Sequence, residues 1–524
     1  MKTILLASAA AVALLPSAAL AQTTDGSPID TILPATDGTV QAQPATRTTG
    51  DAVLDRLNAL DARIKQLEAR NAELEQQAAE TQNRVQNVEV RAAKAAQPGV
   101  VPTYADVNDN FTFKPRGVLQ VDYATFNERA GGYQFNDGTD IRRARFGFEG
   151  TAYKRFKWRL DAEYVKQSVN ILDAYVSYVI NPKLSITVGQ HKAPYGLEAN
   201  TSDVNNTFME RSLGSTVFGA VGAERRIGLS FAYNTDKLNA TVGVFGSGEA
   251  ITRNNDTAAA VTVSSTTNLP TVTNARAGTR NESAGVNGRI TFDPILDTGR
   301  VVHLGASAYH VTNFAGNAVT LADRPNSRVD GGNLISVALR GAAATPTTAQ
   351  TGVKSGTYLG GEGAIVYGPF SVQGEYGHLS PDQYGTAPTL DFSGFNIFAS
   401  VFLTGESRSF KGGNVDKLKP FKDFDPANGK WGAVELAARY DQLDLTDPSL
   451  ALPTSPTNSN QGGRKAHTWT GAVNWHLNPN FRASFNYTRF TGRYSGLVAP
   501  TAALQSQVGT TKGDIFQSRL QIDF

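Results

Sequence analysis

From residue 111 to residue 524 the apolar side chains recur at every second position, and the last segment shows the pattern plainly. Phe516, Leu520, Ile522 and Phe524 fall on one face of an extended strand, and Gln517, Arg519, Gln521 and Asp523 on the other. A strand at the end of a soluble chain normally frays or caps an exposed edge. An alternating strand in that place instead suits a wall with lipid on one side and water on the other, provided that the last strand pairs with the first. Closure of this kind leaves no edge and no unpaired backbone within the lipid.

Sixteen stretches carry the period of two: 111–126, 141–152, 156–165, 171–179, 184–190, 224–233, 239–245, 285–292, 301–311, 357–367, 370–377, 392–403, 431–443, 465–477, 481–490 and 514–524. An even number lets an up-and-down barrel return to the side from which it began. In the third stretch Trp158, Leu160, Ala162 and Tyr164 oppose Lys157, Arg159, Asp161 and Glu163. In the fourteenth Trp469, Val473, Trp475 and Leu477 oppose Thr468, Thr470, Asn474 and His476. The fold class expected is therefore an all-β transmembrane barrel of 16 antiparallel strands, wide enough for an aqueous channel, with the polar face lining water. Short links (153–155, 180–183, 234–238, 368–369, 478–480) alternate with long ones (191–223, 246–284, 312–356, 444–464, 491–513), as expected of short turns on one side and long loops on the other. The link 404–430 breaks the rule: it is long on the short side.

The rest of the chain has other periods. Lys2, an apolar run over 4–15 and Ala19-Leu20-Ala21 have the form of a signal peptide over 1–21, so the chain is expected to be exported. Residues 22–50, rich in Thr, Pro, Ala and Gly, are expected to be a disordered leader. Over 51–97 the residues Val53, Leu57, Leu60, Ile64, Leu67, Asn71, Leu74, Ala78, Thr81, Val85 and Val88 step by four and three, a heptad seam with polar flanks. Such a helix has one apolar stripe and is expected to bury it against copies of itself as a coiled coil. The barrel is expected over 105–524. Charge is low at 18% Asp, Glu, Lys and Arg, Gly (50), Tyr (17) and Phe (26) are abundant, and Cys is absent, which excludes a disulfide scaffold and a thiolate metal site.

Several segments, in this order and spacing, resemble the phosphate-selective porin O and P family from about residue 111 to 524. They include Arg142-Arg143-Ala144-Arg145-Phe146-Gly147-Phe148-Glu149-Gly150, Gly189-Gln190-His191-Lys192-Ala193-Pro194-Tyr195-Gly196-Leu197-Glu198 and Phe208-Met209-Glu210-Arg211-Ser212. Leu403-Thr404-Gly405-Glu406, Trp431 to Tyr440 and Ala472 to Pro479 match as well. The aromatic terminal residue also resembles the final strand of bacterial outer-membrane barrels. The resemblance implies trimers of 16-stranded barrels, loops folded inward to narrow the pore, and a ladder of arginines that conducts anions. It also implies that 404–430 is an inward-folding periplasmic turn whose Lys411, Lys417, Lys419 and Lys422 face the pore.

Selecting an anion needs fixed positive charge, donors that replace part of its hydration, and binding weak enough for release. Arginine suits an oxyanion because its fork gives two parallel hydrogen bonds and its charge is permanent. The resemblance favours Arg142 and Arg143 as pore residues. Neighbours in a strand face opposite sides, so one of them is expected at a bulge or strand end where both reach water. Arg211, Arg324 and Arg328 in the long loops, Lys192 and Arg116 complete the expected anion-binding set. Ala199 stands where phosphate-selective members carry lysine.

The expected function is an outer-membrane porin for passive diffusion of small anions such as phosphate or polyphosphate. The alternative is a general or other-solute porin whose coiled coil is a periplasmic tether. Expected partners are outer-membrane lipid, a homotrimer and, through the helix, peptidoglycan. No basic, aromatic-interleaved patch points to nucleic acid. None of the six histidines sits in a metal or nucleophile motif, so neither a cofactor nor an enzyme is expected.

Overall fold

The computed structural model describes residues 49–95 and 103–524, apart from 107, 109, 131–133, 166–167, 248–259, 264–269, 274–282, 315–316, 340, 342–348, 451–463 and 494–509. The signal peptide expected at 1–21 and nearly all of the leader expected at 22–50 lie outside the described residues. The chain divides into two units, the first ending at Asn87 and the second starting at Val88.

The described residues of the first unit lie in one helix, α1 (Thr49–Ala95), which runs on past Asn87. No Pro interrupts it, and Lys65–Asp61 (3.3 Å) and Arg70–Glu73 (3.4 Å) pair along its surface. Val53, Leu57, Leu60, Ile64, Leu67 and Leu74, the heptad positions, are all more than half exposed.

The second unit is a closed antiparallel barrel. Its strands are β1 (Phe111–Ala130), β2 (Gly138–Ala152), β3 (Phe156–Val165), β4 (Ser168–Asn181), β5 (Leu184–Lys192), β6 (Arg225–Asn234), β7 (Leu238–Phe245) and β8 (Ala284–Asp297). They continue with β9 (Arg300–Thr312), β10 (Val353–Tyr367), β11 (Phe370–Gln383), β12 (Phe392–Phe402), β13 (Ala433–Asp444), β14 (Lys465–His476), β15 (Phe481–Arg493) and β16 (Thr510–Asp523). Each pairs with its sequence neighbours, and β1 pairs with β16 from Val118↔Asp523 to Ala130↔Lys512. Tyr104–Ala105 adds a short pairing to β1. Closure extends to the last residue: the Phe524 N–H donates to Gly117 O and the Gly117 N–H to Phe524 O, both at 3.0 Å. A Cβ at position 117 would lie 2.3 Å from the Phe524 ring, so any larger residue there would push the terminal ring aside.

Alternation explains the two surfaces. Leu119, Val121, Tyr123, Leu160, Val176, Val188, Phe231, Ile290, Leu304, Ile365, Ile397, Val473, Phe485, Phe516 and Leu520 point out and are exposed, forming the apolar exterior that hydrocarbon requires. Gln517, Arg519, Gln521 and Asp523 point in. No described helix is long and apolar enough to cross a membrane.

Among the described residues, parts of three connections enter the lumen. Residues 193–224, between β5 and β6, carry α2 (Leu197–Asn200) and α3 (Leu213–Gly222). Residues 313–352 carry a hairpin of Val319–Asp323 against Ile335–Leu339. Residues 403–432, on the short-turn side, carry a small hairpin of Phe410–Lys411 and Asn414–Val415. An apolar cluster of Tyr195, Leu213, Val217, Phe218 and Val221 packs on Tyr309, Val311, Tyr358, Leu379, Phe392 and Leu443 of the wall. The polar-inward rule is therefore broken where a loop docks, and much of the inner face lies beneath protein rather than against water.

Candidate pore constriction

The loop 193–224 folds as it does because its own side chains supply its caps and anchors. Gly196 takes φ +52, a left-handed conformation that favours glycine, and leads into α2. The Glu198 carboxylate accepts from Ser212 N (2.9 Å), Ser212 Oγ (2.7 Å) and Arg439 Nη1 (3.0 Å). Ser212 in turn caps α3, its Oγ accepting from Ser215 N. The Arg439 guanidinium lies 4.5 Å from the centre of the Phe208 ring and donates to Glu210 O. These contacts tie the Gly-Leu-Glu and Phe-Met-Glu-Arg-Ser segments to each other and to β13.

Two loop carboxylates staple the same loop to the wall. Glu210 accepts from Arg142 Nε (2.7 Å) and Nη2 (3.0 Å), from Arg519 Nη2 (2.8 Å) and from Arg328 Nε (3.3 Å). Asp203 accepts from Arg211 Nη2 (2.6 Å) and Arg145 Nη1 (2.7 Å), and Arg143 Nε stands 3.4 Å away. Burial opposes ionisation of both acids. For Glu210 the Arg142 and Arg519 charges outweigh it, and for Asp203 those of Arg143, Arg211 and Arg145 do, holding each carboxyl well below the usual carboxylate range.

Between this loop and the wall of β1–β7 lies an open volume of about 1240 Å³, lined by Arg116, Arg145, Arg159, Lys192 and Arg225 and by Asp161, Asp173, Asp203 and Asp523, with Tyr175, Ser177, Thr187, His191 and Ser230 between them. Its arginines are paired. Arg116 meets Glu149 (2.7 Å) and Asp161 (3.7 Å), Arg225 meets Asp173 (3.0 Å), and Arg159 contacts Asp161 and Asp173. The lining of this volume thus interleaves cationic and acidic side chains, five of the first and four of the second.

Of the residues expected from sequence, Arg116 and Lys192 line this volume. Lys192 Nζ donates to the carbonyls of Ala199 (2.8 Å) and Thr201 (3.2 Å), fixing the end of α2. Arg142 is the extra residue of a β-bulge: Gln120 pairs with Arg143 and Val121 with Ile141. Both arginines consequently reach the loop inside the barrel, Arg142 at Glu210 and Arg143 at Gln120 Oε1 (2.7 Å) and Asp203. Arg211 sits on Asp203 and Arg328 between Glu210 and Asp323 (2.6 Å). Arg324, half-buried, donates its backbone N–H to Asp323 Oδ1 (2.8 Å) and its side chain to Arg328 O (3.1 Å), and burial together with the charge of Arg328 lowers its affinity for its proton.

The turn 403–432 folds inward and Lys417 reaches Asp523 (2.5 Å), whereas Lys411, Lys419 and Lys422 are exposed. Arg145, Arg159, Arg225 and Arg439 and the acids Asp203 and Glu210 were not singled out from the sequence. The period of two could have found Arg145, which shares a face with Arg143, and Arg159. Arg519 faces inward but is sealed, held by Asp122 (2.7 Å), Glu210 and Met209 O.

The model of the phosphate-selective porin O and P family matches residues 113–524. The chain belongs to this family. It is 25% identical over 448 residues to Porin O of Pseudomonas aeruginosa, covering 80% of this chain and 90% of that one. It is 28% identical over 421 residues to an uncharacterized protein of Caulobacter vibrioides, covering 76% and 75%. Among solved structures it is similar to an anion-selective porin from Comamonas acidovorans, with TM-score 0.48, 12% identity and coverage of 79% of this chain and 100% of that one. It is also similar to the outer-membrane channel DcaP of Acinetobacter baumannii, with TM-score 0.44, 9% identity and coverage of 80% and 99%. Family and fold together make this protein an outer-membrane porin, a β-barrel channel.

Proposed function

We propose that the channel passes small anions by passive diffusion, phosphate and polyphosphate among them. The observation that carries this reading is the row Arg116, Arg145, Arg159, Arg225 and Lys192 along the open volume. The permanent charge and forked donors of the four arginines can replace part of an oxyanion's hydration as it passes. Because each of the four arginines also faces a carboxylate, the excess positive potential is small and the preference for anions is modest. That pairing favours a second reading, a general porin for small solutes.

A planar-bilayer recording under a KCl gradient separates the two. An anion-preferring reversal potential is expected, and a cation-preferring one overturns the proposal. The exposed seam of Leu57, Leu60, Ile64, Leu67 and Leu74 supports a homotypic coiled coil in the periplasm beneath a trimer, with peptidoglycan as a further contact. The same preparation lacking residues 51–97 should then show a less detergent-resistant oligomer or weaker cell-wall association. Unchanged behaviour in both assigns the helix another role.

A further inference from the structure

A dense cluster of positive charge beside the channel surrounds Asp203. Three guanidinium groups, those of Arg143, Arg145 and Arg211, converge on this single carboxylate at 3.4, 2.7 and 2.6 Å. Lys192 adds a fourth charge that acts on the same carboxyl. The arginines come from two parts of the chain: Arg143 and Arg145 share the inward face of β2, and Arg211 is supplied by the loop. The cluster borders the water path, since Arg145, Lys192 and Asp203 all line the 1240 Å³ volume.

Arg145 also donates to Glu163 Oε1 (2.7 Å), Arg211 to Ala199 O (3.3 Å) and Arg143 to Gln120 Oε1 (2.7 Å), yet one nitrogen of Arg143 and one of Arg211 stay unserved. Asp203 is buried, and the Nε atoms of Arg143 and Arg211, also buried, have no hydrogen-bond partner among the described residues. A carboxylate has two oxygens, and here they serve Arg145 and Arg211, leaving Arg143 at a long 3.4 Å. A tetrahedral oxyanion with three or four oxygens would match the donor set better than the side chain that fills it.

We propose that Asp203 is a tethered counter-anion occupying an oxyanion-binding site built into the channel wall. While it sits there, a permeating phosphate must compete with a carboxylate that is held at high local concentration by its own backbone. The native channel therefore conducts without retaining phosphate. Asp203 is on this account a specificity-determining residue: its charge keeps the cluster from becoming a trap, and its removal exposes a site for phosphate, with sulfate as the nearest analogue in shape.

This inference rests on the channel passing anions, and its test is a comparison that does not depend on how strongly the native protein prefers them. Chloride current through single channels is recorded while inorganic phosphate is titrated, for the native protein, Asp203→Ala and Asp203→Ala combined with Arg145→Gln. Vacating the site should lower the half-blocking phosphate concentration about tenfold, equivalent to about 1.4 kcal/mol, and the added Arg145→Gln should restore the native value. Should Asp203→Ala fail to form a heat-modifiable barrel, Asp203→Asn removes the charge at nearly constant volume and is expected to shift block in the same direction by a smaller factor. A conducting variant with unchanged phosphate block overturns the inference while leaving the porin reading intact. A cation-preferring native channel overturns that reading, and the variant comparison still decides the role of Asp203.

Discussion

The inner faces of β13–β16 and of β3–β6 are built from the same kinds of residue, and they have opposite fates. On the first, Arg439, Arg519, Asp441, Thr468, Asn474 and Thr488 are at most 2% exposed. On the second, Arg159 keeps 25% of its side chain exposed and Ser177 and Thr187 line open volume. The difference comes from what accompanies the polar residues. The wall of β9–β13 offers Tyr309, Val311, Tyr358, Leu379, Phe392 and Leu443 as an apolar dock for Val217, Phe218 and Val221 of α3, and Tyr309 Oη also donates to Phe218 O at 2.6 Å. Burial of such side chains contributes roughly 1.5–3 kcal/mol each. The loop settles on that side, and β3–β6, which present Arg159, Asp161, Tyr175, Thr187 and Ser230 inward, keep the water.

The contrast is broken most severely by unpairing a charge on each side. Arg519→Met leaves Asp122 and Glu210 short of a buried partner, a change that typically costs about 3–5 kcal/mol. It should lower the temperature at which the purified barrel loses its compact mobility on a gel and make the open-channel current noisy. Arg159→Met acts on a partly hydrated pair worth about 0–1 kcal/mol and should leave that temperature nearly unchanged. Equal shifts would mean that the two walls do not differ in the way their burial indicates.

Accessibility sharpens the same comparison. The chain contains no cysteine, so single thiols report cleanly. Thr187→Cys on the open side should react with a small charged thiol reagent and lose current, whereas Thr488→Cys, at 0% exposure and beside Thr470 Oγ1 at 3.1 Å, should react at least about tenfold more slowly because reaction there needs local opening. Comparable rates at the two positions would place water on both walls.

The barrel itself was legible in the sequence because alternation is a direct consequence of a wall between two solvents. All sixteen strands fall close to where the period of two places them, and of the bulge or strand end expected where two adjacent arginines both face inward, the structure has the bulge, at Arg142. Which inward residues would be covered was not legible. Asp523 and Arg519 both point inward, and Asp523 borders the open volume whereas Arg519 is covered, because alternation states which way a side chain points and says nothing of what a loop later lays over it. The counter-ions were hidden for a similar reason. Asp203 and Glu210 lie in a loop without periodicity, and their pairing with β2, β16 and residues 313–352 depends on contacts far apart in the chain. The segment Phe208 to Ser212 carried the family signal, and its physical content emerges only in three dimensions: an aromatic platform for Arg439, an anchor for three arginines and a helix cap.

The smallest expected effect concerns pH. Asp203 and Glu210 are both held well below the usual carboxylate range, so their contribution to holding the loop is fully present above the unfolded carboxyl value of about 4 and is lost only as pH falls through the lower folded values. Between about pH 8 and pH 5 the unitary conductance should therefore stay nearly flat on account of these staples. His191, with Nε2 2.8 Å from Ser230 Oγ and Nδ1 2.9 Å from Gly189 O, faces the open side, where a change in its charge alters the local potential smoothly and leaves the loop in place. Loop release, seen as a step to larger and noisier openings, belongs well below pH 4 on this account. A step of that kind near neutrality would show that something other than the two carboxylates holds the loop against the sealed wall.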